Sequence, residues 1–180
     1  GNDTINGGGG NDKILAGNGD DTVNAGGGDD TLLGENGNDR LNGENGNDIL
    51  DGGKGDDRLE GQEGNDTYIY RRGDENDTIA DWNDKPYRGV SYDKVKFVDI
   101  NSSDVHKTVK DGNNLVFMLK NADGTLGDKI TFENWFYGNM VDSRYDVKIE
   151  EIEFANGEKW NIPKIESRLV LLGTDGDDKI

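Results

Sequence analysis

Between residues 1 and 68 the recurrent apolar side chains follow neither the 3.6-residue period of a helix nor the alternation of a half-buried strand. They return every nine residues: Ile5, Ile14, Val23, Leu32, Leu41, Leu50, Leu59 and Tyr68. An aspartate stands two residues before each one, at Asp3, Asp12, Asp21, Asp30, Asp39, Asp48, Asp57 and Asp66. A glycine stands two residues before each aspartate. Three columns in phase over so many repeats define a repeating supersecondary unit. The six residues ending on the aspartate, such as Gly52-Gly53-Lys54-Gly55-Asp56-Asp57, read as a turn whose glycines permit positive φ and close backbone approach. The three that follow, such as Arg58-Leu59-Glu60, read as a short strand with one side chain inward. Two repeats, 18 residues, then close one coil of a flattened right-handed roll. Its two parallel sheets share a thin core, and repeats n and n+2 stack on the same edge.

After Thr67 the period breaks. Strands are expected at Thr67–Arg71, Asp77–Trp82, Lys94–Val98, Leu115–Lys120, Lys129–Phe132, Val147–Phe154 and Glu158–Ile162. Turn-forming runs such as Asp111-Gly112-Asn113-Asn114 and Asn156-Gly157 separate several of them. Phe132–Phe136 reads as a helical turn packing aromatics, and Pro163 as the first residue of a helix running to Leu172. At Gly173-Thr174-Asp175-Gly176-Asp177-Asp178-Lys179-Ile180 the nine-residue register resumes. The chain therefore divides into a β-roll (1–69), a β-rich flank (70–172) and the start of a further repeat block (173–180). The fold class is all-β, with minor helix.

Composition changes this picture in one respect. Residues 1–66 hold 19 of the 28 glycines, 16 acidic and four basic residues, and no aromatic residue. Such a segment would read as a disordered linker if its order were ignored. With 38 acidic against 20 basic residues the net charge is −18, which disfavours contacts with nucleic acid or an anionic membrane. No apolar run is long enough to span a bilayer, and the absence of cysteine removes disulfides and thiolate metal sites.

Stacking places acid over acid. Asp3, Asp21, Asp39 and Asp57 line one edge, and Asp12, Asp30, Asp48 and Asp66 the other. Strands in a sheet lie ~4.8 Å apart, so bare carboxylates at that spacing repel and call for a cation. Calcium accepts six to eight hard oxygens in irregular geometry, whereas magnesium demands a stricter octahedron. Zinc would want His or Cys, which the repeats lack.

The pattern G-G-x-G-x-D-x-U-x resembles the calcium-binding repeat of RTX proteins over residues 1–69. The resemblance implies that each ion lies between turns n and n+2. The earlier turn would give its aspartate with the carbonyls of turn positions two and four, and the later turn its aspartate with those of positions one and three. One site then uses Gly17, Gly19 and Asp21 with Gly34, Asn36 and Asp39. The next uses Gly26, Gly28 and Asp30 with Gly43, Asn45 and Asp48. The same division adds Gly8, Gly10, Gly37, Gly46, Gly52, Gly55 and Gly61 to the candidate ligands. Six aspartate pairs follow, with a seventh if Asp57 meets Asp77 across a step of eleven rather than nine residues from Asp66. Six or seven Ca2+ ions are expected. Glu35 and Glu44 replace the second turn glycine and should be tolerated if φ stays allowed.

Runs at Asp111–Phe117, Ile130–Phe136 and Ile149–Phe154 resemble the segment after the repeats in haemolysin-type RTX exoproteins. That resemblance implies a cap over the open end of the roll, with Tyr68 and Tyr70 plugging the last coil. The thin core and the acidic charge predict disorder without calcium and order with it. Extracellular modules bind calcium at ~10⁻⁴–10⁻³ M, so cytosolic calcium would leave such sites empty. The family further implies export, unfolded, by a type I secretion machinery, and a secreted or bacterial cell-surface location. Neighbouring repeat blocks of the parent would be further partners. The parent's activity stays open among cytolysin, adhesin, protease and lipase.

No catalytic constellation stands out, and no enzymatic activity is expected of this chain. His106 has no partner nucleophile in sequence, and no serine lies in a G-x-S-x-G context. Glu150, Glu151 and Glu153 read as a solvated face rather than a glycosidase pair. The rival function is ligand capture, a host glycan or protein held by Trp135-Phe136-Tyr137. Exposed rings would favour capture and buried rings a cap.

Overall fold

The computed structural model describes residues 1–81, 91–136 and 149–170. Seven strands of six residues each form the repeats: β1 Thr4–Gly9, β2 Lys13–Asn18, β3 Thr22–Gly27, β4 Thr31–Asn36, β5 Arg40–Asn45, β6 Ile49–Lys54 and β7 Arg58–Glu63. Each strand starts after the column aspartate and runs through the first half of what reads in sequence as turn. The expected three-residue strand is thus too short, and the turn proper is only three residues, such as Gly55-Asp56-Asp57. The reason is a second inward position two residues after the apolar one. It is always glycine or alanine, as at Ala25, Gly34, Gly43, Gly52 and Gly61, all buried. So small a residue lets the two sheets close on each other while the backbone stays extended.

Strands two apart in sequence pair in parallel with a shift of 18 residues, so that Val23 faces Leu41 and Leu32 faces Leu50. Odd-numbered strands build one sheet and even-numbered strands the other. Val23, Leu32, Leu41, Leu50 and Tyr68 are wholly buried, while Ile5 in β1 is only half-buried.

Both sheets continue past residue 69. The strands there are β8 Thr67–Tyr70, β9 Asn76–Ile79, β10 Lys94–Phe97, β11 Val105–Asp111, β12 Asn114–Lys120, β13 Leu126–Phe132, β14 Glu151–Glu153, β15 Lys159–Asn161 and β16 Leu169–Val170. The first sheet runs β1-β3-β5-β7-β9-β13-β12-β11-β16 and the second β15-β14-β10-β8-β6-β4-β2. β9 joins β7 in parallel, with Arg58 facing Thr78, and β10 joins β8, with Lys94 facing Thr67. The hairpin β11–β12 and the pair β12–β13 are antiparallel.

Aromatic rings fill the widened core. Tyr70 meets Phe97 edge-on at 5.7 Å, and Phe97 stacks on Phe154 at 5.2 Å. Trp160 lies between the sheets, 4.6 Å from Phe154 of one side and 6.0 Å from Phe117 of the other. Tyr68 and Tyr70 therefore lie within a core that runs on beyond them, rather than plugging its last coil. Trp135 is buried against Phe132, and Phe136 packs on the core beneath the Lys110 ammonium.

Several expectations need correction. Phe132–Phe136 is a turn after β13, with Asn134 at φ 57, and not a helical turn. The helix at Pro163, α1, covers only Ile162–Glu166. The Asn161 side chain caps it by accepting from the Lys164 N–H at 3.2 Å, which places Pro163 one position inside the first. The chain then turns into β16, which pairs with β11. Trp82, Tyr137, Val147, Lys148 and the repeat register at 173–180 lie outside the described residues. No helix among the described residues is long and apolar enough to cross a membrane.

Candidate metal centre

From Asp21 to Asp66 each column aspartate is buried at an edge of the roll. Its Oδ1 accepts the backbone N–H of the aspartate one coil back. Asp3 donates to Asp21 at 2.6 Å, Asp21 to Asp39 at 2.8 Å and Asp39 to Asp57 at 2.7 Å. On the other edge Asp12 donates to Asp30 at 2.7 Å, Asp30 to Asp48 at 2.8 Å and Asp48 to Asp66 at 2.7 Å. Both columns run beyond the regular repeats. The Asp57 N–H reaches Asp77 at 3.0 Å, so the two extra residues of that step are absorbed in the turn. The Asp66 N–H reaches Asp93 at 2.8 Å, and Asp93 in turn donates to Glu150 Oε2 at 2.7 Å.

The second oxygen is the informative one. Oδ2 of Asp12, Asp21, Asp30, Asp39, Asp48, Asp57, Asp66 and Asp77 is buried with no hydrogen-bond partner among the described residues. A buried carboxylate oxygen with no donor is costly, and such atoms recurring at every turn mark a place for a cation. The glycines locate what converges on them. A Cβ on Gly34 would strike both Asp39 Oδ2 and the Gly52 carbonyl, so these two oxygens share one small space. A Cβ on Gly37 would strike the Gly19 carbonyl, and one on Gly26 the Gly8 carbonyl. Carbonyls of positions two and four thus point forward to the next coil. Those of position three point back: Asn36 accepts from Gly19 at 2.9 Å and Asn45 from Gly28 at 2.9 Å. Position one points back as well, as Gly52 does towards Gly34. The donor set is all oxygen, hard and irregular, which is what calcium accepts.

Glu35 and Glu44 occupy position two with φ of 77° and 72°, as does Gln62 at 74°. Their backbone keeps the left-handed shape and only the carbonyl is used. Position four is different: Gly37 lies at φ 134°, a region open to glycine alone.

Burial dominates the electrostatics. It pushes Asp48 up to about 6, Asp57 to about 7, Asp66 to about 8 and Asp77 to about 9, with the charge of stacked aspartates adding to it and the donated N–H opposing it. Burial thus favours the protonated form of these four carboxylates in the folded roll. A divalent cation would neutralise their charge.

Other residues singled out in sequence are not gathered into a site. His106 is exposed on β11. Glu151 accepts from Lys159 at 2.7 Å, and Glu153 lies 3.5 Å from the same ammonium.

A profile for RTX calcium-binding nonapeptide repeats matches residues 1–32 and 33–68, and a profile for the haemolysin-type calcium-binding protein related domain matches residues 114–162. Residues 1–68 are thus RTX calcium-binding nonapeptide repeats. The iron-regulated protein FrpA of Neisseria meningitidis serogroup C is 40% identical over 114 residues. That alignment covers 63% of this chain and 9% of FrpA, so the RTX segment spans under a tenth of that relative. Among solved structures, the solution structure of the AlgE6R3 subunit from the Azotobacter vinelandii mannuronan C5-epimerase is 21% identical. It aligns with a TM-score of 0.32, over 95% of this chain and 91% of that one.

The RTX pattern draws attention away from two features that the structure adds. The residue before each column aspartate is always Asn or Asp, and its side chain forms a second ladder. Asp20 N–H donates to Asn2 Oδ1 at 3.0 Å, Asn38 to Asp20 at 2.9 Å and Asp56 to Asn38 at 2.8 Å. Here the later coil donates to the earlier one, opposite to the aspartate column. The other feature is Asp93, which lies outside the nine-residue register. An Asp-x-apolar signature, Asp93-Lys94-Val95 like Asp66-Thr67-Tyr68, marks it in the sequence.

Proposed function

We propose that this chain is a calcium-triggered folding module of a secreted protein. The observation that carries the reading is the row of buried, unpartnered Oδ2 atoms, from Asp12 to Asp77, that lines both edges. Each ion would lie between coils n and n+2, held by the aspartate pair and by the carbonyls directed at the same space. One would bind at Asp21 and Asp39 with Gly17, Gly19, Gly34 and Asn36, and one at Asp30 and Asp48 with Gly26, Gly28, Gly43 and Asn45. The hydrogen bond from Asp57 to Asp77 supports a further ion beside the six from the regular pairs.

Without the ion, one inward aliphatic residue per nine must order an acidic, glycine-rich chain against its backbone entropy. With it, charge repulsion becomes a tie between coils. The polypeptide would leave the cell unfolded through type I secretion and fold where calcium is millimolar. Residues 1–69 would be the calcium-binding unit, 70–172 its closing cap and 173–180 the start of another block. Burial of Trp135 and the packing of Phe136 support the cap over ligand capture. Circular dichroism of the whole chain tests the reading. β-Structure should be lost in chelator and return with millimolar calcium but not with equal magnesium. A β-rich spectrum in chelator that calcium leaves unchanged would overturn it.

A further inference from the structure

At the end of one edge the regular turn geometry stops, and three carboxylates take its place. Asp66 closes the last nine-residue turn ahead of β8, Asp81 follows β9 in the opposite sheet, and Asp93 leads into β10. One oxygen of each lies within 4.8 Å of one oxygen of each of the others. All three residues are buried, with exposures of 0%, 4% and 2%. Asp66 gives its Oδ1 to the Asp48 N–H, and its Oδ2, fully enclosed, has no partner among the described residues. Asp81 receives the Gln62 N–H at 3.0 Å and lies at hydrogen-bonding range of Asp93. Two carboxylates in such contact need a proton or a cation between them.

We propose that Asp66, Asp81 and Asp93 form a calcium site of a different make from those of the roll, placed at the junction between repeats and flank. It rests on the calcium reading given above. Where a regular pair would draw on turn carbonyls of the next coil, this site has a third carboxylate, brought from the other sheet by Asp81. Charge count and rigidity set calcium affinity. Three carboxylates fixed on the ends of strands therefore bind more tightly than two in a glycine-rich turn, and this site fills first. The ion ties 66, 81 and 93 together and so joins β8, β9 and β10, the strands on which the flank's sheets are built.

The test is a calcium titration of the full chain with ions counted by native mass spectrometry, alongside Asp81→Asn and Asp39→Asn. Asp81→Asn should lose one ion per chain. Its first-filled phase should move to higher calcium by at least about tenfold, the loss that even outer-sphere partners of a metal can cause. Asp39→Asn should keep that first phase and shift the later ones. An Asp81→Asn titration identical to the parent's overturns the junction site. If only Asp39→Asn is changed, the roll reading stands alone; if only Asp81→Asn is changed, the roll reading falls and the junction site stands. Should Asp81→Asn fail to fold, amide exchange of the parent at sub-stoichiometric calcium decides. Protection should begin at the Gln62 and Asp66 amides, and protection beginning at Asp21 and Asp39 would overturn the proposal.

Discussion

Gly37→Ala and Gly27→Ala change the composition identically, yet the structure assigns them opposite effects. Gly37 sits at position four with φ 134°, and a Cβ there meets the backbone of Gly19 and Asp20 one coil back. Neither the clash nor the backbone shape can relax by moving a side chain. Strain of this kind costs about 1–3 kcal/mol. Displacing the Gly19 carbonyl also weakens the ion between Asp21 and Asp39, worth about 1.4 kcal/mol at ten times its dissociation constant. The sum is about 2.5–4.5 kcal/mol. For a domain of this size it lowers the melting temperature by roughly 5–18 °C in calcium. Gly27, at position three, has no atom within 4 Å of an added Cβ and no positive φ. Asn36, Asn45, Lys54 and Glu63 occupy the same position in later turns. Gly27→Ala should therefore stabilise by about 0.4–1 kcal/mol through the unfolded chain. Thermal melts and calcium midpoints by circular dichroism read both. Equal midpoints and equal melting temperatures for the two variants would refute the turn geometry.

Asp39 is linked to a coil on either side, whereas Asp3 is exposed beside a half-buried Ile5, so Asp39→Asn should raise the calcium midpoint more than Asp3→Asn; a larger effect of Asp3→Asn in the same titration would contradict the stacking. Protons should compete with calcium. In the ion-free folded roll Asp48, Asp57, Asp66 and Asp77 lie at about 6 to about 9, above their ordinary value of 3.8. Their contribution to folding without calcium is fully present below 3.8 and is lost as pH rises through about 6 to about 9. Circular dichroism in chelator should show order growing as pH falls, and the calcium midpoint should rise over the same range; a midpoint independent of pH there would contradict it.

What the sequence disclosed follows from how local each signal is. The nine-residue columns state the coil, the edges and the aspartate ladder outright, because each repeat meets only its neighbours. The strands read short in sequence because glycine at the second inward position looks like turn chemistry, when its smallness is what allows the sheets to close. β11 carries little sequence signal, since Val105–Asp111 has only two buried residues, Thr108 and Val109, side by side. The helix after Pro163 reads longer than it is because pairing of β16 with β11 competes for the same residues. Asp81 had no local signal at all. Only the shift of β9 against β7 from 18 to 20 residues sets it beside Asp66 and Asp93. Trp135 could not be placed from sequence either, since an aromatic run serves a core and a binding face equally well.

The alternation of strands between two sheets gives the array a parity. One repeat advances the chain half a coil, about 2.4 Å of axial rise, and carries it to the opposite face. Two repeats restore the face and advance one strand spacing. A gain or loss of one nine-residue unit would leave every turn intact, yet hand each strand upstream of the change to the other sheet and each aspartate to the other edge. Relative to the flank, everything ahead of that point would be turned through half a revolution. Repeat arrays of this kind can therefore grow smoothly in length only in units of 18 residues, while an odd step is a switch of facing. The count of repeats sets orientation as well as reach.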